Sequence, residues 1–167
     1  MMHVAEDMLM ATGCLTPIYY YTDLYMISQK VKGFYSIPLG YKYFQGTTVD
    51  GKGDSLSVCL ASEPDTLDPA LNSAVDGATM LVHLFAGLAK WTKNADGTLE
   101  VVADCVTELV EGVANEDGTV TYTYTLKDGL KWSDGKAMSA KDFEFAWKRA
   151  ASNKLGADYG YMFDVIK

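Results

Sequence analysis

Val120-Thr121-Tyr122-Thr123-Tyr124-Thr125-Leu126, then Lys127-Asp128-Gly129-Leu130-Lys131-Trp132-Ser133-Asp134-Gly135, then Ser139-Ala140-Lys141-Asp142-Phe143, is the stretch on which the reading of the fold turns. In its first part Val120, Tyr122, Tyr124 and Leu126 alternate with threonines, the period of a strand that turns one face to a core. Asp134-Gly135 is a turn signal. Ser139 with Asp142 three residues on is a capping box, and Phe143, Ala146, Trp147 and Ala150 recur at helical spacing along the helix it opens. Strand, turn and helix in direct succession make the chain mixed α/β.

Upstream the same alternation of elements continues. Val106–Val113 reads as a strand turned back by Glu116-Asp117-Gly118, and Leu99–Val102 pairs across Asn94-Ala95-Asp96-Gly97 with the residues that follow Leu88. Asp76 is placed to cap a helix over 77–90, whose Leu81, Leu84, Phe85 and Leu88 share one face. Residues 56–61 read as a strand, and Glu63-Pro64-Asp65-Thr66-Leu67-Asp68-Pro69 as a turn-rich segment. Residues 46–54, with three glycines among polar residues and no apolar period, read as a linker. Before it, residues 3–11 read as the end of a short helix broken by Thr16-Pro17, Ile18–Thr22 as a strand with Tyr19 and Tyr21 on one face, and Tyr25–Ser28 as a second short strand. Residues 155–167 read as a loop running into a strand.

Composition narrows the class of partner. The chain has 167 residues, 49% hydrophobic and 22% charged, in the range of an ordinary globular domain. A formal charge of −8 without a basic cluster argues against nucleic acid and against docking on anionic lipid by charge. The 11 tyrosines suit a wet, adaptable cleft, and equally suit strands. Ala11-Thr12-Gly13-Cys14 has the look of a lipoprotein cleavage site, but Glu6 and Asp7 stand where a leader is basic, so no export signal is read there. No run is long enough to span a bilayer.

No residue set supports catalysis. Glu63, Asp65 and Asp68 lack the oxygen-ligand alternation of a calcium loop, and Thr66 and Asp68 are better read as turn caps. Cys14, Cys59 and Cys105 match no metal motif, and His3 and His83 add no ligand cluster, so neither metal nor cofactor is expected. Cys59 reads as a small packed hydrophobe, with a bridge between two of the three thiols left open. His83 reads as a satisfied interface residue. Lys127–Trp132 is read as an exposed hairpin end, with anion or sugar binding as the alternative.

The motifs together resemble a known family. Glu63–Pro69, Leu84-Phe85-Ala86-Gly87-Leu88, Tyr122–Gly135 and Ser139–Phe143 resemble, in order and spacing, the start of the mature peptide-binding solute-binding proteins of ABC transporters (family 5, cluster C). Pro17-Ile18-Tyr19-Tyr20-Tyr21, Lys32-Gly33 and Pro38-Leu39-Gly40 resemble the other end of that family. The resemblance implies one domain from residues 1–45 and 55–167 joined by the 46–54 linker. It would be a circularly permuted, engineered lobe of a type II periplasmic-binding-protein-like fold, with a mixed β-sheet and flanking helices. It also implies an extracytoplasmic parent, periplasmic or lipid-anchored, that passes peptides to an ABC permease. By position it implies ligand contacts at Tyr19, Tyr21, Ser73, Ala74, Val75 and Tyr159. The chain has Ser73 where a carboxylate can stand in the family, so this position offers a peptide amino terminus no charge. Other members of the family take nickel complexes, haem or oligosaccharides, but no His or Arg cluster favours these here. With one lobe only, weak or undetectable peptide affinity is expected. The alternative is a scaffold that binds no ligand and self-associates through an exposed cleft face.

Overall fold

The computed structural model describes residues 2–20, 22, 24–52 and 55–166. In chain order its elements are α1 (Met2–Ala11), β1 (Val31–Lys32), β2 (Tyr35–Ser36), β3 (Lys42–Tyr43), β4 (Thr48–Val49), α2 (Val75–Leu84), β5 (Ala89–Lys93), β6 (Leu99–Ala103), β7 (Val113–Ala114), β8 (Val120–Thr121), α3 (Ala140–Ala150) and a 3-10 turn at Gly160–Phe163. The class is mixed α/β, as the sequence implies. No helix among the described residues is long and apolar enough to cross a membrane.

One turn chemistry recurs three times. Asn94 and Thr98 close the β5–β6 hairpin, with the Asn94 N–H on the Thr98 carbonyl at 2.8 Å, and Asp96 Oδ1 accepts from the Thr98 N–H at 2.9 Å. Asn115, Asp117 and Thr119 repeat this between β7 and β8, and Trp132, Asp134 and Lys136 repeat it before α3. At each tip the residue after the aspartate takes positive φ (Gly97 +90°, Gly118 +80°, Gly135 +85°), a conformation that glycine reaches at little cost.

Between these hairpins lies a small core. The Cys105 N–H donates to the Gly87 carbonyl at 3.0 Å, and the Cys105 carbonyl accepts from the Lys127 N–H at 2.9 Å. Residues 104–106 therefore run between 87–88 and 125–127, which buries Cys105 and leaves Val106 with no exposed surface. Burial beside Asp104 pushes the Cys105 thiol pKa up. A second buried group, Ile37 and Tyr43, belongs to the β2–β3 hairpin. That hairpin lies against α2 and β5. The Tyr35 and Tyr43 rings stack at 4.8 Å, and the Tyr35 hydroxyl donates to the Trp91 carbonyl at 3.0 Å. The Lys42 N–H reaches Thr79 Oγ1 at 3.4 Å, Gln45 Nε2 reaches the Val82 carbonyl at 3.3 Å, and the Phe44 N–H reaches His83 Nε2 at 2.8 Å.

Several expectations are corrected. In place of one mixed sheet, the described strands form four separate antiparallel pairs, β1–β4, β2–β3, β5–β6 and β7–β8. Residues 18–20 and 56–61 are not strands: among the described residues no strand pairs with them, and Ile18, Tyr19, Tyr20 and Cys59 are exposed. Tyr25–Ser28 is likewise irregular, and the strands expected over Val106–Val113 and Val120–Leu126 shrink to the β7–β8 pair and a single bridge between Val106 and Leu126. Part of 46–54 is strand, since Thr48 and Val49 pair with Lys32 and Val31. α2 begins at Val75 on Ala74 rather than on Asp76, and it stops at Leu84 instead of 90. The early stop has a cause. The Gly87 and Leu88 carbonyls accept from Cys105 and Asp104, which takes that backbone out of the helix. The partner-facing side of α2 is thus set by Thr79 and His83, while Leu84 and Phe85 are about half exposed. Residues 160–163 form a 3-10 turn where a strand was expected. α3 and its box form as read, with Ser139 donating through its N–H (2.7 Å) and hydroxyl (3.1 Å) to Asp142 Oδ2. The expected buried stripe does not form, since Ala146 and Trp147 are exposed.

α3 is fastened to the rest by charge. The two guanidinium nitrogens of Arg149 grip the two Asp68 oxygens, one of them at 2.8 Å. Asp68 Oδ1 also caps its own turn, accepting from the Ala70 N–H at 2.9 Å. The Arg149 bonds first, and the backbone bonds second, hold the Asp68 carboxyl below the usual range. A depressed carboxyl contributes stability that is present above the ordinary aspartate pKa and lost as pH falls through the folded value. Arg149→Met should therefore lower the melting temperature most near neutrality, and the wild-type and variant curves should converge on acidification. A gap between them that persists through the acid range would place the contribution in packing rather than in the ion pair.

Candidate functional site

The turn ahead of α2 sets the candidate site. The Asp68 carbonyl accepts from the Leu71 and Asn72 N–H groups at 3.1 and 3.0 Å, which folds Asn72 back over the helix start. Asn72 Nδ2 then donates to the Ala74 carbonyl at 2.9 Å. Ala74 is held extended (φ −109°, ψ 150°), and its carbonyl also takes the first helical bond, from the Ala78 N–H at 2.9 Å. Ala74 has no side chain able to cap the first turn. Ser73, Ala74 and Val75 are thus fixed by backbone and by Asn72.

This strip forms one wall of an open cleft of about 780 Å³. Tyr159, Tyr161 and Met162, around the 3-10 turn, form a second wall, and Leu39 and Tyr41, from the β2–β3 hairpin, form a third. Four of the six residues expected at a site, Ser73, Ala74, Val75 and Tyr159, therefore meet at one cleft. Tyr19 does not join them: it is 74% exposed and lies outside the lining. Tyr21 lies outside the described residues. Tyr161, Met162, Leu39 and Tyr41 were not read from the sequence. Tyr161, two residues after Tyr159 in an aromatic run, was the available signal.

Among the described residues the lining contains no ionisable acid or base other than tyrosine. It offers a serine hydroxyl, phenol hydroxyls, an amide, backbone groups and apolar surface. Such a wall orients a ligand by hydrogen bonds and contact area and supplies no nucleophile–base pair. Among the other open clefts of the described residues, two are of similar size. One, of about 800 Å³, lies beside Tyr43, His83, Trp91 and Trp132, and the other, of about 730 Å³, lies between residues 67–70 and α3. Neither holds any of the residues expected at the site. Among the described residues no group of three or more His, Cys, Asp or Glu could hold a metal ion.

Comparison with known proteins gives these features a context. Residues 104–167 match the family described as bacterial extracellular solute-binding proteins, family 5. The chain is 37% identical over 133 residues to the oligopeptide-binding protein OppA of Bacillus subtilis, which is 73% of this chain and 22% of that protein. It is 50% identical over 52 residues to a dipeptide-binding protein of Lactococcus lactis, 31% of this chain and 9% of that protein. It is 32% identical over 102 residues to a probable deoxycholate-binding periplasmic protein of Escherichia coli, 60% of this chain and 18% of that protein. The chain thus covers about a fifth or less of the length of these relatives. No solved structure matches.

Gly77 tests how the Ser73–Val75 strip is held. A Cβ at this buried position would lie 1.9 Å from Asn72 Oδ1 and 3.2 Å from the Thr66 carbonyl oxygen. Helix propensity alone favours alanine over glycine by about 1 kcal/mol. Gly77→Ala should nevertheless lower stability in urea unfolding, because Asn72 must leave the Ala74 carbonyl. The amide resonances of Ser73, Ala74 and Val75 should move with it. A stabilised variant with those resonances unchanged would mean that Asn72 does not hold the strip.

Proposed function

We propose that this chain, which carries over residues 104–167 a segment of the bacterial extracellular solute-binding proteins, family 5, is the peptide-holding wall of an extracytoplasmic binding protein that serves an ABC importer. The observation that carries the reading is the meeting of Ser73, Ala74, Val75 and Tyr159 at one open, uncharged cleft. An extended peptide offers a hydrogen-bonding backbone and varied side chains. A wall of hydroxyls, backbone groups and aromatic rings suits the first and tolerates the second. Relatives that bind oligopeptides and dipeptides support the ligand class.

In the same reading, residues 1–45 and 55–167 are the two ends of one lobe joined in reversed order through 46–54, and the joining is engineered. The support is physical contact across that junction: Tyr35 bonds Trp91, Lys42 bonds Thr79 and Phe44 bonds His83. Leu39 and Tyr41 then line the cleft together with Ser73–Val75, so the cleft needs both pieces. The other half of a closed site would come from a second lobe, and the isolated chain binds weakly for want of it.

A second reading has one observation behind it. The cleft is largely apolar, and one relative is named for binding deoxycholate. Titration of the isolated chain with a pool of di- to hexapeptides and, separately, with deoxycholate distinguishes the two. Peptides should shift the amide resonances of Ser73–Val75 and Tyr159 at about millimolar concentration, with little heat in calorimetry. Shifts at these residues with deoxycholate alone would replace the peptide reading by the steroid one. Tight binding of a peptide by this chain would remove the need for a second lobe.

A further inference from the structure

His83 is bonded at both ring nitrogens, and the partners dictate its state. Nε2 lies 2.8 Å from the Phe44 backbone N–H, which can only donate, so Nε2 carries a lone pair. Nδ1 lies 2.6 Å from the Thr79 carbonyl oxygen, which can only accept, so Nδ1 carries the proton. The ring is therefore neutral, with its proton on Nδ1. It links the third turn of α2 to the backbone just after β3, and the Phe44 and Tyr43 rings lie 5.4 and 6.2 Å from it.

We propose that His83 is a pH-sensitive clasp between α2 and the 41–45 arm. Neutral, it accepts the Phe44 N–H. Protonated, it presents an N–H to an N–H, and the bond is replaced by repulsion. Among the described residues that line this cleft, Lys90 and Lys131 stand against one carboxylate, Asp104, which is 3.1 Å from Lys90. Burial raises the pKa of Tyr43, also at this cleft, so its phenol brings no charge to set against the imidazolium. On α2 itself, Asp76 sits in the first turn and takes the Ser62 hydroxyl at 2.6 Å. Protonation thus turns the Phe44 contact from a bond into a repulsion and unfastens the arm.

The neighbouring bond supplies an internal control. The Lys42 N–H goes to the Thr79 hydroxyl, which does not titrate. Amide exchange, corrected for its intrinsic pH dependence, should show Phe44 losing about fivefold of its protection on acidification. Lys42 should change less. In His83→Gln, whose side-chain oxygen can accept the same N–H without titrating, the Phe44 loss should disappear. His3→Gln leaves His83 as the one histidine, and nitrogen-15 spectra of its ring should show the proton on Nδ1 at neutral pH. A proton on Nε2, or Phe44 protection that follows Lys42 at every pH in the unaltered chain, would overturn the clasp. Neither readout uses a peptide, so the clasp and the proposed function fail separately.

Discussion

The hydrogen bonding of the 35–45 arm to α2 and β5 is the constraint on which the remaining geometry rests. The β2–β3 hairpin is too short to stand alone, since two residues per strand and one stacked tyrosine pair bury little surface. Its edge needs partners, and side chains of α2 supply them. Thr79 is almost wholly buried because it takes the Lys42 N–H, and His83 reaches past it to the next available donor, Phe44. With residues four apart on one helix face meeting donors two apart on a strand, the arm is fixed in register as well as in place. Tyr35 secures the other side of the hairpin on Trp91.

The cleft inherits its shape from this docking and from one ion pair. The arm brings Leu39 and Tyr41 to the start of α2, while Asp68 and Arg149 hold α3 against the turn that leads into the same helix. Asp68 does two things at once, gripping Arg149 and organising its own turn through Ala70, Leu71 and Asn72. Asn72 passes that order to Ala74. The Ser73–Val75 strip is thus positioned from behind by polar bonds, which leaves its front free of charge. A wall built this way is ordered before a ligand arrives, and that reduces the entropy lost on binding.

What was legible in the sequence follows from range. Elements specified by neighbouring residues were read correctly: the Asp-Gly turns at 96–97, 117–118 and 134–135, the Ser139–Asp142 box and the β5–β6 pairing. Elements that need a distant partner were not. Ile18–Tyr20 and 56–61 have strand composition, but pairing is a property of what lies alongside. The C-terminal bound of α2 could not be seen, because it is set by bonds from Asp104 and Cys105 across a hairpin. At the site, Ser73–Val75 and Tyr159 came from motif position. Leu39 and Tyr41 depend on the arm's docking and carry no local mark.

An uncharged wall has a consequence for recognition. A free amino terminus or carboxylate brought against Ser73–Val75 gives up hydration and meets only hydroxyls, amides and rings. The middle of an extended chain gives up less, because its backbone groups can exchange water for the groups that line the cleft. In the proposed function such a wall would favour extended backbone over ligand ends. Any charge selectivity must come from whatever faces it across the opening.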